Sequence, residues 1–158
     1  MFLPTSTGDM LDSSEHVYLS QRHVTSPVLL YDGNCGFCDG AVKFILRRDP
    51  GGALRFATVQ GALGTAVVSR HPELANVDSM IWVEGSGAAE RVWTRSDCVL
   101  RSGRYLGGIW RALAALGYVV PRRLRDAAYD AFARRRYRWF GTSENCELPP
   151  PEERARFM

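Results

Sequence analysis

Apolar positions change period several times along this chain, and each change marks an element. Residues 28–31, Val-Leu-Leu-Tyr, form a continuous apolar run, the pattern of a buried strand. Beyond Gly33 and Asn34 the period becomes helical. Cys38, Ala41, Val42, Ile45 and Leu46 fall at i, i+3, i+4, i+7 and i+8, one face of an amphipathic helix. Asp49-Pro50-Gly51-Gly52 stops it. Residues 53–57, apolar but for Arg55, read as a second strand, and a strand-helix-strand unit predicts a parallel pair with a right-handed crossover. Val59, Ala62, Leu63, Ala66 and Val67 predict a helix over 60–70, closed by His71-Pro72. Residues 79–84 and 90–94 predict two strands, joined into a hairpin by Gly85-Ser86-Gly87-Ala88. Thr94, Ser96 and Asp97 offer caps for a helix over 96–105.

The order β-α-β-α-β-β-α describes an α/β domain with a thioredoxin-like core and sheet order 2-1-3-4. In that topology the strand ending at Thr94 runs parallel to the strand ending near Asp32. Further on, residues 107–116 predict a helix with Gly117 as its C-cap, and Pro121 suits the first turn of a last helix reaching about residue 139. The expected organisation is a disordered leader over 1–27, the core over 28–106, a helical extension over 107–141 packed on it, and an irregular proline-rich tail over 142–158. Met10 is a second candidate start within the leader.

Composition narrows the class. The chain has 158 residues, of which 46% are hydrophobic and 23% charged, so it can bury one core. No run is long and apolar enough for a membrane span, and the leader lacks a basic segment followed by an apolar one. A cytoplasmic setting follows, where a Cys-x-x-Cys is catalytic more often than structural. The net charge is a mild +3. Seven arginines and two aspartates lie between Arg122 and Arg138. That stripe reads as a solvated face with intrahelical pairs to Asp126 and Asp130, or as an anionic-partner surface; nucleic acid is not expected.

The chemistry gathers at the first strand-helix junction, where Cys35-x-x-Cys38 stands. A thiolate attacks disulfides, and a helix's first turn supplies free N–H groups and the positive end of the macrodipole. Such settings lower a cysteine's pKa from about 8.5 into roughly 3.5–7.5. Cys35 is therefore the candidate nucleophile. Cys38, returning to the same helix side, is the candidate resolving thiol. Asp32 is expected to have a raised pKa and to exchange a proton with Cys38; its other reading is a turn-capping carboxylate beside Gly33. Ser96 and Asp97, at a helix N-terminus on the same sheet edge, are a candidate anion site, for instance for a glutathione carboxylate, or plain caps. Cys98 reads as core, and His71 as a surface loop residue.

Tyr31-Asp32-Gly33-x-Cys35-x-x-Cys38, with Val42 and Asp49 downstream, resembles the DCC family of thiol-disulfide oxidoreductase-like proteins. The likeness continues through Arg95-Ser96-Asp97, Arg125-Asp126-Ala127-Ala128-Tyr129-Asp130 and Arg136-Tyr137-Arg138-Trp139-Phe140-Gly141, then Cys146 before Pro149. It covers nearly everything after Pro27. The resemblance implies a thioredoxin-like fold and disulfide exchange without an organic cofactor or metal. Its partners would be a disulfide-containing protein or a small thiol such as glutathione. One departure is the segment before the third strand, Asn76-Val77-Asp78-Ser79, which lacks the proline that thioredoxins and glutaredoxins place opposite their cysteines. Two rivals remain open: a zinc-binding or structural protein using the cysteines, and a redox-inactive interaction module built on the arginine-rich helix.

Overall fold

A computed structural model describes residues 26–49, 51–141 and 151–158. The expectations for residues 1–25, for Pro50 and for Cys146 lie outside the described residues. The chain runs β1 (Val28–Tyr31), α1 (Gly36–Leu46), β2 (Arg55–Thr58), α2 (Ala62–Arg70), β3 (Ile81–Glu84) and β4 (Arg91–Thr94). Three helices follow: α3 (Arg95–Leu106), α4 (Gly108–Val119) and α5 (Arg122–Phe140). The sheet order is β2-β1-β3-β4. β1 pairs in parallel with β2 and antiparallel with β3, which pairs antiparallel with β4. This is a mixed α/β sheet of thioredoxin-like topology with helices appended at its C-terminal end.

The unbroken apolar run of β1 has a direct cause: both of its faces are covered. Successive side chains point to opposite faces. Leu29 and Tyr31 join Cys35, Cys38, Val42, Ile45, Phe56, Trp82 and Cys98 in one core. Val28 and Leu30 join Ala57, Val67, Leu74, Ile81 and Val83 in the other. A strand at the centre of two cores holds the following junction rigidly, and that junction carries Cys35.

Several boundaries differ from the sequence expectation. β2 begins at Arg55 and ends at Thr58, and the β3–β4 hairpin contains a 3-10 turn at Gly87–Ala89. Gly117 is not a C-cap: α4 continues through it to Val119. A Cβ on Gly117 would come within 2.6 Å of Leu100 Cδ2, so the glycine serves the close packing of α4 on α3. Pro121 stands just before α5 as its N-cap.

The irregular tail expected over 142–158 is corrected over its last eight residues. Pro151–Arg154 form a helical turn, and Phe157 bridges Phe56 in parallel. The Phe56 N–H donates to Arg156 O at 2.8 Å, and the Met158 N–H to Phe56 O at 2.9 Å. β2 is an edge strand whose free backbone groups invite a partner, and the chain's own end pairs there. Arg156 also forms an ion pair with buried Asp49, which accepts from Tyr105 Oη at 3.0 Å.

Candidate active site

Cys35 is the N-cap of α1, with extended backbone (φ −102°, ψ 115°), and its N–H donates to Asp32 O at 3.3 Å. Its carbonyl already accepts the Asp39 N–H at 3.1 Å, so the thiol sits where β1 hands over to α1. Cys38 lies one turn in. Both thiols are free and buried, and Cys35 is 0% exposed. Burial, then the hydrogen bond with Cys35, then the charge of Cys35, push Cys38 up to about 12. Arg136 and a backbone hydrogen bond at Asp32 oppose that rise. The proton is thus held on Cys38.

The end of α5 closes on the residue next to Cys35. A Cβ on Gly36 would come within 2.7 Å of the Phe140 carbonyl oxygen, so only glycine fits between the cysteines there. Phe37 packs against Phe140 with ring centroids 5.3 Å apart and edge-on against Phe132 at 4.7 Å.

The same end of α5 contributes Arg136 and Tyr137. Arg136 is 2% exposed, pairs with Asp78, donates to Tyr137 Oη at 3.0 Å and stands 3.9 Å from Asp32 Oδ2. Burial works against its charge, but Tyr137 and then Cys38, Cys35 and Asp78 raise its pKa further still. A buried guanidinium therefore lies within electrostatic range of both cysteines. Its Nε has no hydrogen-bond partner, a buried donor left over.

Asp32 corrects one expectation. Burial pushes its carboxyl up, but the Tyr137 hydroxyl at 2.5 Å, the Asn34 N–H at 3.0 Å, Gln60 Nε2 at 2.9 Å and the Arg136 charge outweigh burial. Its pKa lies below the ordinary value, not above it. The Asn34 contact also makes it the turn-capping carboxylate of its second reading. Tyr137 responds in kind: burial and its bond to Asp32 push it up to about 12.

Ser96 and Asp97 do not stand open beside the cysteines, and the N-cap of α3, Thr94, makes no side-chain cap bond. Ser96 Oγ donates to Asp126 and accepts from Arg125 Nη1 at 3.3 Å. Asp97 accepts from Arg125 Nη1 at 2.9 Å and pairs with Arg122 at 3.2 Å. These contacts, with Arg95–Asp130 at 3.2 Å, fasten α5 to the start of α3. Three of the seven arginines in the stripe, Arg122, Arg125 and Arg136, thus pair across elements; Arg122–Asp126 at 3.4 Å is the intrahelical pair expected, and Asp130 pairs with Arg95 instead.

The segment before β3 carries Asp78, the partner of Arg136, and Ser79, whose Oγ accepts the Arg95 N–H at 3.1 Å. Cys98 is buried in the core of Cys35 and Cys38; burial pushes it up to about 12, against a hydrogen bond from Ser102. Among the described residues no three His, Cys, Asp or Glu side chains converge as metal ligands. Arg136, Tyr137, Gln60 and Asp78 were missed as site residues. The signal for the first two was present in the Arg-Tyr-Arg-Trp-Phe-Gly motif, which shows no role until α5 is placed.

A thioredoxin-like sheet with a Cys-x-x-Cys at the end of its first strand defines the class. Within it, the chain belongs to the DCC1-like thiol-disulfide oxidoreductase family, whose model matches residues 29–142. It is 35% identical over 141 residues to the uncharacterized protein YuxK of Bacillus subtilis (strain 168), covering 89% of this chain and 99% of that one. It is 32% identical over 123 residues to the chloroplastic DCC family protein At1g52590 of Arabidopsis thaliana, covering 77% of this chain and 69% of that one. No solved structure matches the chain.

Proposed function

We propose that the protein exchanges disulfides through Cys35 and Cys38, in a reducing compartment such as the cytoplasm, with a disulfide-bearing protein or a small thiol such as glutathione as partner. The observation that carries this reading is the pair at a helix start near a buried guanidinium: Cys35 stands at the N-cap of α1, Cys38 keeps its proton, and the Arg136 charge acts on both. The Cys35 thiolate attacks a substrate disulfide. A bond forms between Cys35 and one substrate sulfur, and the other sulfur leaves as a thiolate and takes a proton. The charge on Cys35 is then gone, and with it two of the causes that hold the proton on Cys38. Cys38 ionises under Arg136 and attacks Cys35. The Cys35–Cys38 disulfide forms and the second substrate thiol departs. A dithiol protein or two glutathione molecules restore the reduced pair.

Asp32 acts here as an ionised anchor that positions Tyr137 and Arg136, and Ser96 and Asp97 as residues that hold α5 in place. Substrate reaches Cys35 when the last turn of α5 lifts, since the thiol is covered as it stands. No helix of the described residues is long and apolar enough to cross a membrane.

The test is a glutathione redox titration with thiols alkylated and counted by mass spectrometry, and metal content recorded alongside. A Cys35–Cys38 disulfide that forms and breaks reversibly, within roughly the −120 to −270 mV spanned by known oxidoreductases, supports the reading. Cysteines that resist both alkylation and oxidation with stoichiometric zinc bound would replace it with the metal site.

A further inference from the structure

The outward side of α4 is apolar and has no protein against it. Ala114 is the only buried residue on this helix. Ile109, Leu113, Leu116 and Val120 recur at helical spacing on one side with Val119 beside them, all exposed, Leu116 at 67% and Val119 at 77%. Leu124, in the first turn of α5, is exposed as well. A contiguous apolar ridge of this kind marks an interaction surface rather than ordinary scatter.

Charge says what covers it. Residues 98–125 contain six arginines and no aspartate or glutamate. Arg104, Arg111 and Arg123 form no ion pair among the described residues. Arg101, Arg104 and Arg111 line a cleft of about 310 Å³ with Trp82 and Tyr105 beside α4. Its one carboxylate, Glu84, is engaged by Arg101 at 3.2 Å and by Trp82 Nε1 at 2.7 Å. Two copies of this chain meeting face to face on α4 would bring these arginine fringes together and repel. An anionic bilayer satisfies both features at once: acyl chains receive the ridge, and lipid phosphates receive the guanidinium groups. With 12 residues α4 is about 18 Å long, far short of a hydrocarbon core of about 30 Å, so it lies in the interface plane.

We propose that the α4 face is a docking surface for an anionic phospholipid membrane, with Ile109, Leu116 and Val119 inserted and Arg104, Arg111 and Arg123 bound to phosphate. This placement does not depend on the thiol chemistry.

The experiment is vesicle flotation of the full chain, comparing phosphatidylcholine alone with phosphatidylcholine containing phosphatidylglycerol, at low and high salt. The wild type floats with the anionic vesicles, stays behind with neutral ones, and is released by salt. The double variant L116E/V119E loses flotation while keeping its far-ultraviolet dichroism, since both side chains are exposed. Arg111→Gln and Arg123→Gln each weaken binding roughly fivefold. Failure of the wild type to float, or undiminished flotation of L116E/V119E, overturns the proposal. So does a dimer by light scattering that L116E/V119E dissociates, which would make a second copy the occupant.

Discussion

The hydroxyl of Tyr137 donates to Oδ2 of Asp32 at 2.5 Å, a bond between residues 105 apart that ties the last long helix to the junction carrying Cys35. A charge-assisted bond of this kind contributes about 1.5–3 kcal/mol. Tyr137→Phe removes it and weakens the latch over a buried thiol. Opening of the α5 end then becomes at least about tenfold more populated. Alkylation of Cys35, followed by peptide mass spectrometry under native conditions, should accelerate by the same factor. An unchanged rate would show that access to Cys35 does not run through α5.

Arg136 is expected to govern the ionisation of the pair. Arg136→Met keeps most of the volume and removes the charge from a position 2% exposed. The pH at which the first thiolate forms, followed by its ultraviolet absorbance, should rise, and reaction with a disulfide reagent at neutral pH should slow. The variant also leaves Asp32 and Asp78 without their cation, at a cost of about 3 kcal/mol in thermal or denaturant unfolding. Arg136→Lys, which restores charge without the planar fork, should recover most of the ionisation and less of the stability.

The two cysteines should fail differently. Cys35→Ser abolishes exchange, because burial, the largest cause holding the proton on Cys38, remains in the variant and the thiol at the helix N-cap is gone. Cys38→Ser still attacks and then stops, so a mixed disulfide with glutathione or a protein substrate accumulates and shows in the intact mass. Accumulation on Cys38 in the Cys35→Ser protein would reverse the assignment.

Acid should expose the Asp32 anchor. Its folded pKa is depressed below the ordinary carboxyl value of 3.8, so its contribution to stability is fully present above that value and is lost as pH falls through the lower folded one. Asp32→Asn removes that contribution. Wild type should therefore be the more stable protein at neutral pH, with the gap to Asp32→Asn closing at acid pH in parallel denaturant titrations.

Gly36→Ala sets helix propensity against tertiary contact. Alanine favours a helix by about 1 kcal/mol over glycine. Here its Cβ would meet the Phe140 carbonyl, backbone that cannot swing aside as a side chain can. Net destabilisation of about 1–3 kcal/mol is expected by thermal unfolding, together with faster Cys35 alkylation.

The core order β-α-β-α-β-β-α and the position of Cys35 were legible because both follow from local period. The run 28–31 and the Cys38-Ala41-Val42-Ile45 stripe report neighbours only a few residues away. Gly117 misled for the same reason: locally it looks like a cap, and only Leu100, on another helix, explains a glycine inside α4. The chain end misled because its partner, the free edge of β2, lies about a hundred residues upstream.

Sequence by itself determined the family, the strand-helix junction and the thiol pair, since spacing along one chain segment decides which residues share a turn. Tertiary structure decided the electrostatics. Asp32 is ionised rather than protonated because Tyr137 and Arg136 arrive from α5 and Gln60 from the turn after β2. Cys35 is buried rather than open because it joins a core that includes Trp82 and Cys98, while Phe140 closes on Gly36 beside it. A pKa and an accessibility belong to an environment assembled from distant segments, and no period along the chain encodes them.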